Sequence, residues 1–362
     1  MRILDKYILK ELIGPFIFGV CAFSSIFIGT STLSKIAEYL TKYGASISSV
    51  IKLFIYNLPQ IVILTFPMSM LLASLLAFGR LSASSEIIAM KSGGISFYRL
   101  AVPVFIVAFG VSIFATFFNE LVVPASSTAY NNVVRYEIQK DYRPLLQNNI
   151  VIPEEKDGVI ERVTYAHKFD TDSNTMHVVT IQEFNNDQLV RVENAETGIW
   201  DKDKWVLYNG IIYDLTLGEQ ITRTMYFEQH VVPIRKDPTT IVNEQKKPEE
   251  MSIKELKQRI KLLQQVHAST IDCEMEMHKR LSIPMASFVF ALIGTPLGLQ
   301  PHRSSSSIGL GLSIIIIFIY YTIMTMTVAL GQSGTIPAFW GAWLPNIIGI
   351  IAGAFLVRKV SL

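Results

Sequence analysis

Six stretches of the chain are apolar over the length that a helix needs to cross a bilayer: Leu12 to Leu33, Leu53 to Phe78, Leu100 to Val123, Leu281 to Leu299, Ile308 to Leu330 and Ala338 to Val357. A hydrocarbon core about 30 Å thick takes about 20 helical residues, and lipid offers the backbone no hydrogen-bond partner. Unbroken apolar runs of this length therefore predict membrane-crossing helices. Hydrophobic residues make up 50% of the 362 and charged residues 17%, and the apolar excess lies in these six segments. The sequence between the third and fourth, about Pro124 to Arg280, is polar and cannot remain in lipid. A net charge of +2 supplies no field for a nucleic-acid partner.

Orientation follows from Lys and Arg in the short connections, which are retained on the cytoplasmic side. One set of segments carries Arg2, Lys6, Lys10, Arg80, Lys91, Arg99, Arg303, Arg358 and Lys359, whereas the opposite short loops carry only Lys35, Lys42 and Lys52. Both termini are thus expected in the cytoplasm and the large insert outside. The N-terminal apolar stretch is too long for a secretory leader and lacks an Ala-x-Ala-like site, and Val20 before Cys21 argues against a lipidated cysteine. Cys21 and Cys273 read as free thiols. Leu4, Ile8, Leu9 and Leu12 share a helical face, which fits either an amphipathic helix lying in the interface or a simple cytoplasmic start to the first span.

The insert changes period. Val159 to Tyr165, Met176 to Phe184, Leu189 to Asn194, Trp205 to Tyr208, Ile211 to Leu215 and Thr222 to Phe227 are short and rich in β-branched and aromatic residues. Asn185-Asn186-Asp187, Asp201-Lys202-Asp203 and Asn209-Gly210 supply turn signals between them. The pattern predicts a sandwich or roll of antiparallel strands. Ser252-Ile253-Lys254-Glu255 then fits a capping box, followed by Leu256, Ile260 and Leu263 at helical spacing.

The connection between the second and third spans, Gly79 to Gly94, encloses apolar Ile87-Ile88-Ala89-Met90 between Glu86 and Lys91. Ser82 or Ser84 is expected to cap a short helix there, with Glu86 in its first turn and Gly93-Gly94 ending it. A solvated turn has no need of that apolar centre, so the segment reads as a docking knob for a soluble partner. No Gly-x-x-x-x-Gly-Lys-Ser/Thr loop occurs, so the chain has no ATPase motif of its own. The histidines are scattered, without a His-x-x-x-His pair or metal-ligand spacing, and no catalytic or metal site is expected. Glu120, at the end of the third span, reads as a helix-end carboxylate satisfied by water or Asn119. Lysines beside an apolar span, Lys35 and Lys42, must snorkel or meet an anion. Pro59, Pro67 and Pro103 loosen their helices, and Gly309, Gly311 and Gly349-x-x-x-Gly353 permit close helix contact.

This loop, together with Leu4-Asp5-Lys6-Tyr7-Ile8, Phe66-Pro67-Met68, Asn119-Glu120 before Pro124, and Gly334-Thr335-Ile336-Pro337, resembles the F/G permease family of the lipopolysaccharide transport (Lpt) ABC exporter, closer to its G branch. The likeness covers nearly the whole chain. It implies an α+β membrane protein of the bacterial inner membrane: 1–123 as the N-terminal transmembrane half with a coupling helix near 82–93, 124–270 as a periplasmic β-jellyroll with an amphipathic helix, and 271–362 as the C-terminal half. It also implies a permease that takes lipopolysaccharide to a periplasmic bridge of jellyroll proteins, paired with a second permease chain, either a paralogue or the same chain. A cytoplasmic ABC ATPase dimer would use ATP-Mg in trans, and no cofactor is implied for this chain. By the same resemblance Glu86, Ile87, Met90 and Lys91 meet the ATPase, Lys35 and Lys42 greet the phosphorylated headgroup, and the lateral gate lies near Gly309 and Gly311. Thr41 stands where a further lysine is often found in that family. Two readings compete with transport: a mechanotransmitting ABC subunit that regulates a periplasmic partner without carrying lipid, and a membrane-anchored enzyme.

The topology is checked by proteolysis of sealed inside-out vesicles. Residues 130 to 270 are expected to be protected while the loop around Glu86 is cut, and cleavage of both from one side sinks the assignment.

Overall fold

The computed structural model describes residues 3–139, 147–156, 159–170, 173–185, 188–201, 204–215, 221–232, 234, 247–265, 268–299 and 306–361. Arg2, the turn residues Asn186, Asp187, Lys202 and Asp203, His267, and Arg303 with its neighbours His302 and Ser304 lie outside the described residues. The chain separates into two compact units, Met1–Lys140 with Glu274–Leu362, and Asp141–Cys273.

The first unit holds the helices. α1 (Ile3–Phe27) passes through a π-helical turn, Ile28–Thr32, into α2 (Leu33–Tyr43). α1 is one continuous helix from Ile3, with Ile8 and Leu12 buried in the bundle, so the amphipathic start is the first part of the span itself and forms no separate helix. In the π turn the Thr30 and Ser31 hydroxyls donate back to the Ile26 and Phe27 carbonyls at 2.9 and 2.7 Å, the competition by which such residues loosen a helix. Gly44, with φ of 62°, ends α2, and Ser46 caps α3 (Ile47–Ala83) by accepting from the Ser49 amide. α4 (Glu86–Ser92), α5 (Phe97–Leu121) and α6 (Val123–Asn132) follow. After the insert come α8 (Ile271–Leu297), α9 (Ser306–Gln332) and α10 (Ala338–Ser361). Among the described residues, six helical stretches are long and apolar enough to cross a membrane, split three and three around the insert.

α3 is the post of the bundle. Small residues let its neighbours close on it. A Cβ on Gly19 of α1 would stand 3.0 Å from Ser69 Cα, and one on Gly294 of α8 3.0 Å from the Leu71 carbonyl oxygen. Gly353 of α10 meets α8 in the same way, its added Cβ falling 2.8 Å from Leu292 Cγ. Prolines leave carbonyls unpaired, and side chains answer some of them. Pro284 has no N–H to offer the Arg280 carbonyl, which accepts instead from Asn119 Nδ2 of α5 at 3.3 Å. Asn346 of α10 is fully buried, donating to the Ser282 carbonyl at 2.7 Å and accepting from the Tyr320 hydroxyl at 2.8 Å.

The second unit is a six-stranded antiparallel sheet in chain order. Its strands are β1 (Gln147–Lys156), β2 (Val159–Asp170), β3 (Thr175–Asn185), β4 (Gln188–Asp201), β5 (Lys204–Leu215) and β6 (Ile221–Val232). Every strand contributes to one buried cluster that includes Ile150, Ala166, Val179, Ala195, Trp205 and Val232. Among the described residues the strands form this one sheet, with β1 and β6 at its edges. Asn209-Gly210 is not a turn. β5 runs straight through it, with Asn209 at φ of 50° and Gly210 lying flat under the Phe227 ring, where no Cβ fits.

At the end of the sheet opposite to where the chain enters and leaves, Glu154, Arg162, Glu183, Arg191 and Asp214 face one another strand by strand, alternating in sign. Arg162 bridges Glu154 at 3.1 Å and also pairs with Glu183; Arg191 reaches Asp214 at 2.7 Å. Beside this ladder Glu193 is buried with His230 at 3.7 Å, and burial holds its carboxyl above the ordinary range. The predicted capping box is present. The Ser252 amide donates to Glu255 Oε2 at 2.7 Å and the Glu255 amide to Ser252 Oγ at 3.2 Å, opening α7 (Ile253–Gln265), whose Leu256 and Leu263 are buried.

Replacing Asn346 with Ala strands the Tyr320 hydroxyl and removes a bond to α8. A loss of about 1–2 kcal/mol is expected, read as a lower unfolding temperature in detergent.

Candidate functional site

The segment around Glu86 is built by residues distant in sequence. α3 ends at Ala83, and Ser85 takes a left-handed conformation, φ 61°, before α4 begins. Neither Ser82 nor Ser84 caps α4 as the sequence suggested, and the Ser85 side chain makes no cap bond. Ser84 Oγ instead donates to Glu86 Oε1 at 2.9 Å, while the Tyr7 hydroxyl donates to Glu86 Oε2 at 2.7 Å. These two donors, Tyr7 first, hold the Glu86 carboxyl below the usual carboxylate range. Gly93 and Gly94, the latter at φ 84°, end the helix as expected.

Ile87 turns inward and is buried in the cluster with Ile8, Leu12, Phe78, Leu81 and Phe97, and Met90 packs on the same cluster. Outward face Ile88, 62% exposed, and Ala89. Lys91 is exposed and donates to the Val360 carbonyl at 3.3 Å, so the last turn of α10 braces one end of α4. At the other side Glu11 meets Arg80 at 3.0 Å and Asp5 meets Arg99 at 2.7 Å. That Tyr7 and Ser84 donate to Glu86 was not read from sequence, where Ser84 stood as a cap, and neither were these ion pairs. The spacing of Tyr7 and Glu11, one helical turn apart beside buried Ile8 and Leu12, was the available signal.

Lys35 and Lys42 lie on α2, both exposed and on one face with Glu38. Lys42 pairs with Glu38 at 3.3 Å, and the Thr41 hydroxyl is taken by the Ala37 carbonyl at 2.8 Å. Lys35 makes no ion pair among the described residues. Glu120 faces Arg280, only 3% exposed, at 3.5 Å, and Arg280 also meets Glu276 at 3.4 Å. That network joins α5 to α8, the two helices that lead into and out of the insert. Gly309 and Gly311 on α9 point differently. A Cβ on Gly309 would contact Leu76 Cδ2 at 3.5 Å, whereas Gly311 is exposed with nothing within 4 Å. Among the described residues no group of His, Cys, Asp or Glu is placed to hold a metal.

The arrangement defines a multi-pass membrane protein, two sets of three candidate spans around an extramembrane sheet, with a short surface helix braced by both ends of the chain. The model of the family described as lipopolysaccharide export system permease LptF/LptG matches residues 6–359, and the chain belongs to that family. A curated relative, the lipopolysaccharide export system permease protein LptG of Haemophilus influenzae, is 23% identical over 368 residues, covering 98% of this chain and 98% of that protein. The likeness to the G branch seen in the motifs is in keeping with that match.

Because Tyr7 and Ser84 favour the charged form of Glu86, their contribution is complete above the ordinary carboxylate range and fades as pH falls through the lowered value. Infrared titration of the carboxylate stretch is expected to show Glu86 protonating at lower pH in the native protein than in Ser84→Ala.

Proposed function

We propose that the chain is a permease subunit of an ABC-type lipopolysaccharide extractor in the bacterial inner membrane, passing lipid from the outer leaflet to a periplasmic bridge of jellyroll proteins. ATP-Mg is used by a separate cytoplasmic ABC ATPase dimer. Both termini lie in the cytoplasm and the sheet domain in the periplasm, where its apolar interior can shelter acyl chains. Exposing those chains to water costs roughly 0.8 kcal/mol per CH₂, so extraction needs energy from a partner.

The observation that carries this reading is the uneven burial of the spans. In their most apolar windows, 17% of the first span and 22% of the fifth are buried, against 78% of the second and 72% of the fourth. α1 presents Ile13, Ile17, Phe18 and Ile26 outward, and α9 presents Ile314, Ile315, Phe318 and Met326. Two apolar flanks of this kind suit a lateral gate, α1 of one permease facing α9 of the second chain, whether a paralogue or another copy. Gly311, exposed and bare, suits a sliding seam there, and Gly309 fixes the same stretch of α9 against α3. At the outer rim Lys35 and Lys42 receive the phosphorylated headgroup. The Lys42–Glu38 pair is solvent-exposed and adds only about 0.3–0.5 kcal/mol, so a phosphate can displace it. On the cytoplasmic side Glu86 offers its carboxylate to the ATPase, Ile87 and Met90 root the coupling helix in the bundle, and Lys91 steadies its far end.

Photo-crosslinkers at Ser34 and at Val179 test the path. Lipopolysaccharide adducts at both, increased by ATP when the ATPase is bound, are expected; no adduct at either under turnover rules out transport through this chain.

A further inference from the structure

The first turns of α1 are fastened to the coupling segment at points far apart in sequence. Tyr7 donates to Glu86 across 79 residues, Glu11 meets Arg80, and Asp5 meets Arg99. Between these polar ties Ile8 and Leu12 are buried against Phe78, Leu81 and Ile87. α4 therefore cannot slide along α1 without breaking a charge-assisted bond and opening a packed core. Both Glu86 oxygens are engaged from within the chain, yet a carboxylate has about four acceptor positions, so an incoming cation can share it with Tyr7 and Ser84. α1 then continues through the π turn to α2, the helix that bears Lys35 and Lys42.

We propose that Tyr7 is a positioning residue for energy coupling: it aims the Glu86 carboxylate at the ATPase and makes α1 follow α4 when the motor moves. The proposal rests on the reading of α4 as the docking helix. Tyr7 acts through Glu86 and touches neither lipid nor nucleotide. Motion at the motor thus reaches the gate helix directly at its base.

The test compares native protein, Tyr7→Phe, Glu86→Gln and the double variant, each assembled with ATPase and second permease in proteoliposomes containing lipopolysaccharide. Tyr7→Phe keeps the ring and its packing. It is expected to leave the unfolding temperature in place and to lower lipopolysaccharide extracted per ATP hydrolysed by about three- to tenfold, the net range of one hydrogen bond made in competition with water. Glu86→Gln is expected to weaken ATPase retention, and the double variant to be no worse than Glu86→Gln alone, because both changes remove the same contact. Ser84→Ala, away from the buried side of α1, is expected to lower the same ratio and serves should Tyr7→Phe fail to assemble. A native ratio in Tyr7→Phe, or effects that add in full, overturns the proposal. Full ATPase retention and transport by Glu86→Gln overturns the docking reading instead, so the two failures are told apart.

Discussion

A backbone carbonyl without a partner in lipid costs several kcal/mol, and that cost governs how this bundle is tied together. Pro284 releases the Arg280 carbonyl, and Asn119 must come from α5 to meet it. Next to Ile63, whose carbonyl loses its helix partner to Pro67, the Leu64 carbonyl accepts from Tyr321 of α9 at 3.2 Å. Asn346 serves α8 and α9 at once. Each bond draws a polar side chain from one helix to a particular height on another. In hydrocarbon, where apolar surface alone gives no preference between a neighbouring helix and a lipid tail, such bonds and the glycine contacts fix which helices meet and in what register.

The result is an unequal bundle. α3 and α8 are enclosed and pinned by small residues, while α1 and α9 keep apolar flanks outward. The ends of the chain add a second tier of ties, because α1 and α10 both brace α4. At the opposite end of α5, Arg280 sits between Glu120 and Glu276 with almost no exposure. A buried pair of this sort adds little net stability but is costly to break singly, so it serves as a fixed joint at the entrance to the insert.

The spans, the insert and β2, β3, β4 and β6 were legible because each is written in a run of neighbouring residues, apolar length for the helices and alternation for the sheet, whereas β1 was missed and β5 was divided in two. The capping box at Ser252 and the Gly93-Gly94 stop were legible for the same reason. Asn209-Gly210 misled because a positive φ serves a distorted strand as readily as a turn, and only the Phe227 ring above Gly210 decides between them. The capping of α4 misled because the residue before the helix, Ser85, is left-handed and not in the extended conformation from which a serine hydroxyl accepts from the first free amides. The partners of Glu86 and Glu120 were out of reach. Tyr7 and Arg280 are 79 and 160 positions away from them, and nothing local marks them as neighbours.

The π turn between α1 and α2 changes the phase of everything beyond it. One residue more than an α-turn holds displaces the following side chains by about 100° around the axis. An unbroken α-helix would carry Lys35 and Lys42 to nearly the opposite side from Ile8 and Leu12; the extra residue brings them back toward that sector, and a single deletion among Ile28 to Thr32 would heal the turn to α-helix and leave both ammonium groups close to where they stand.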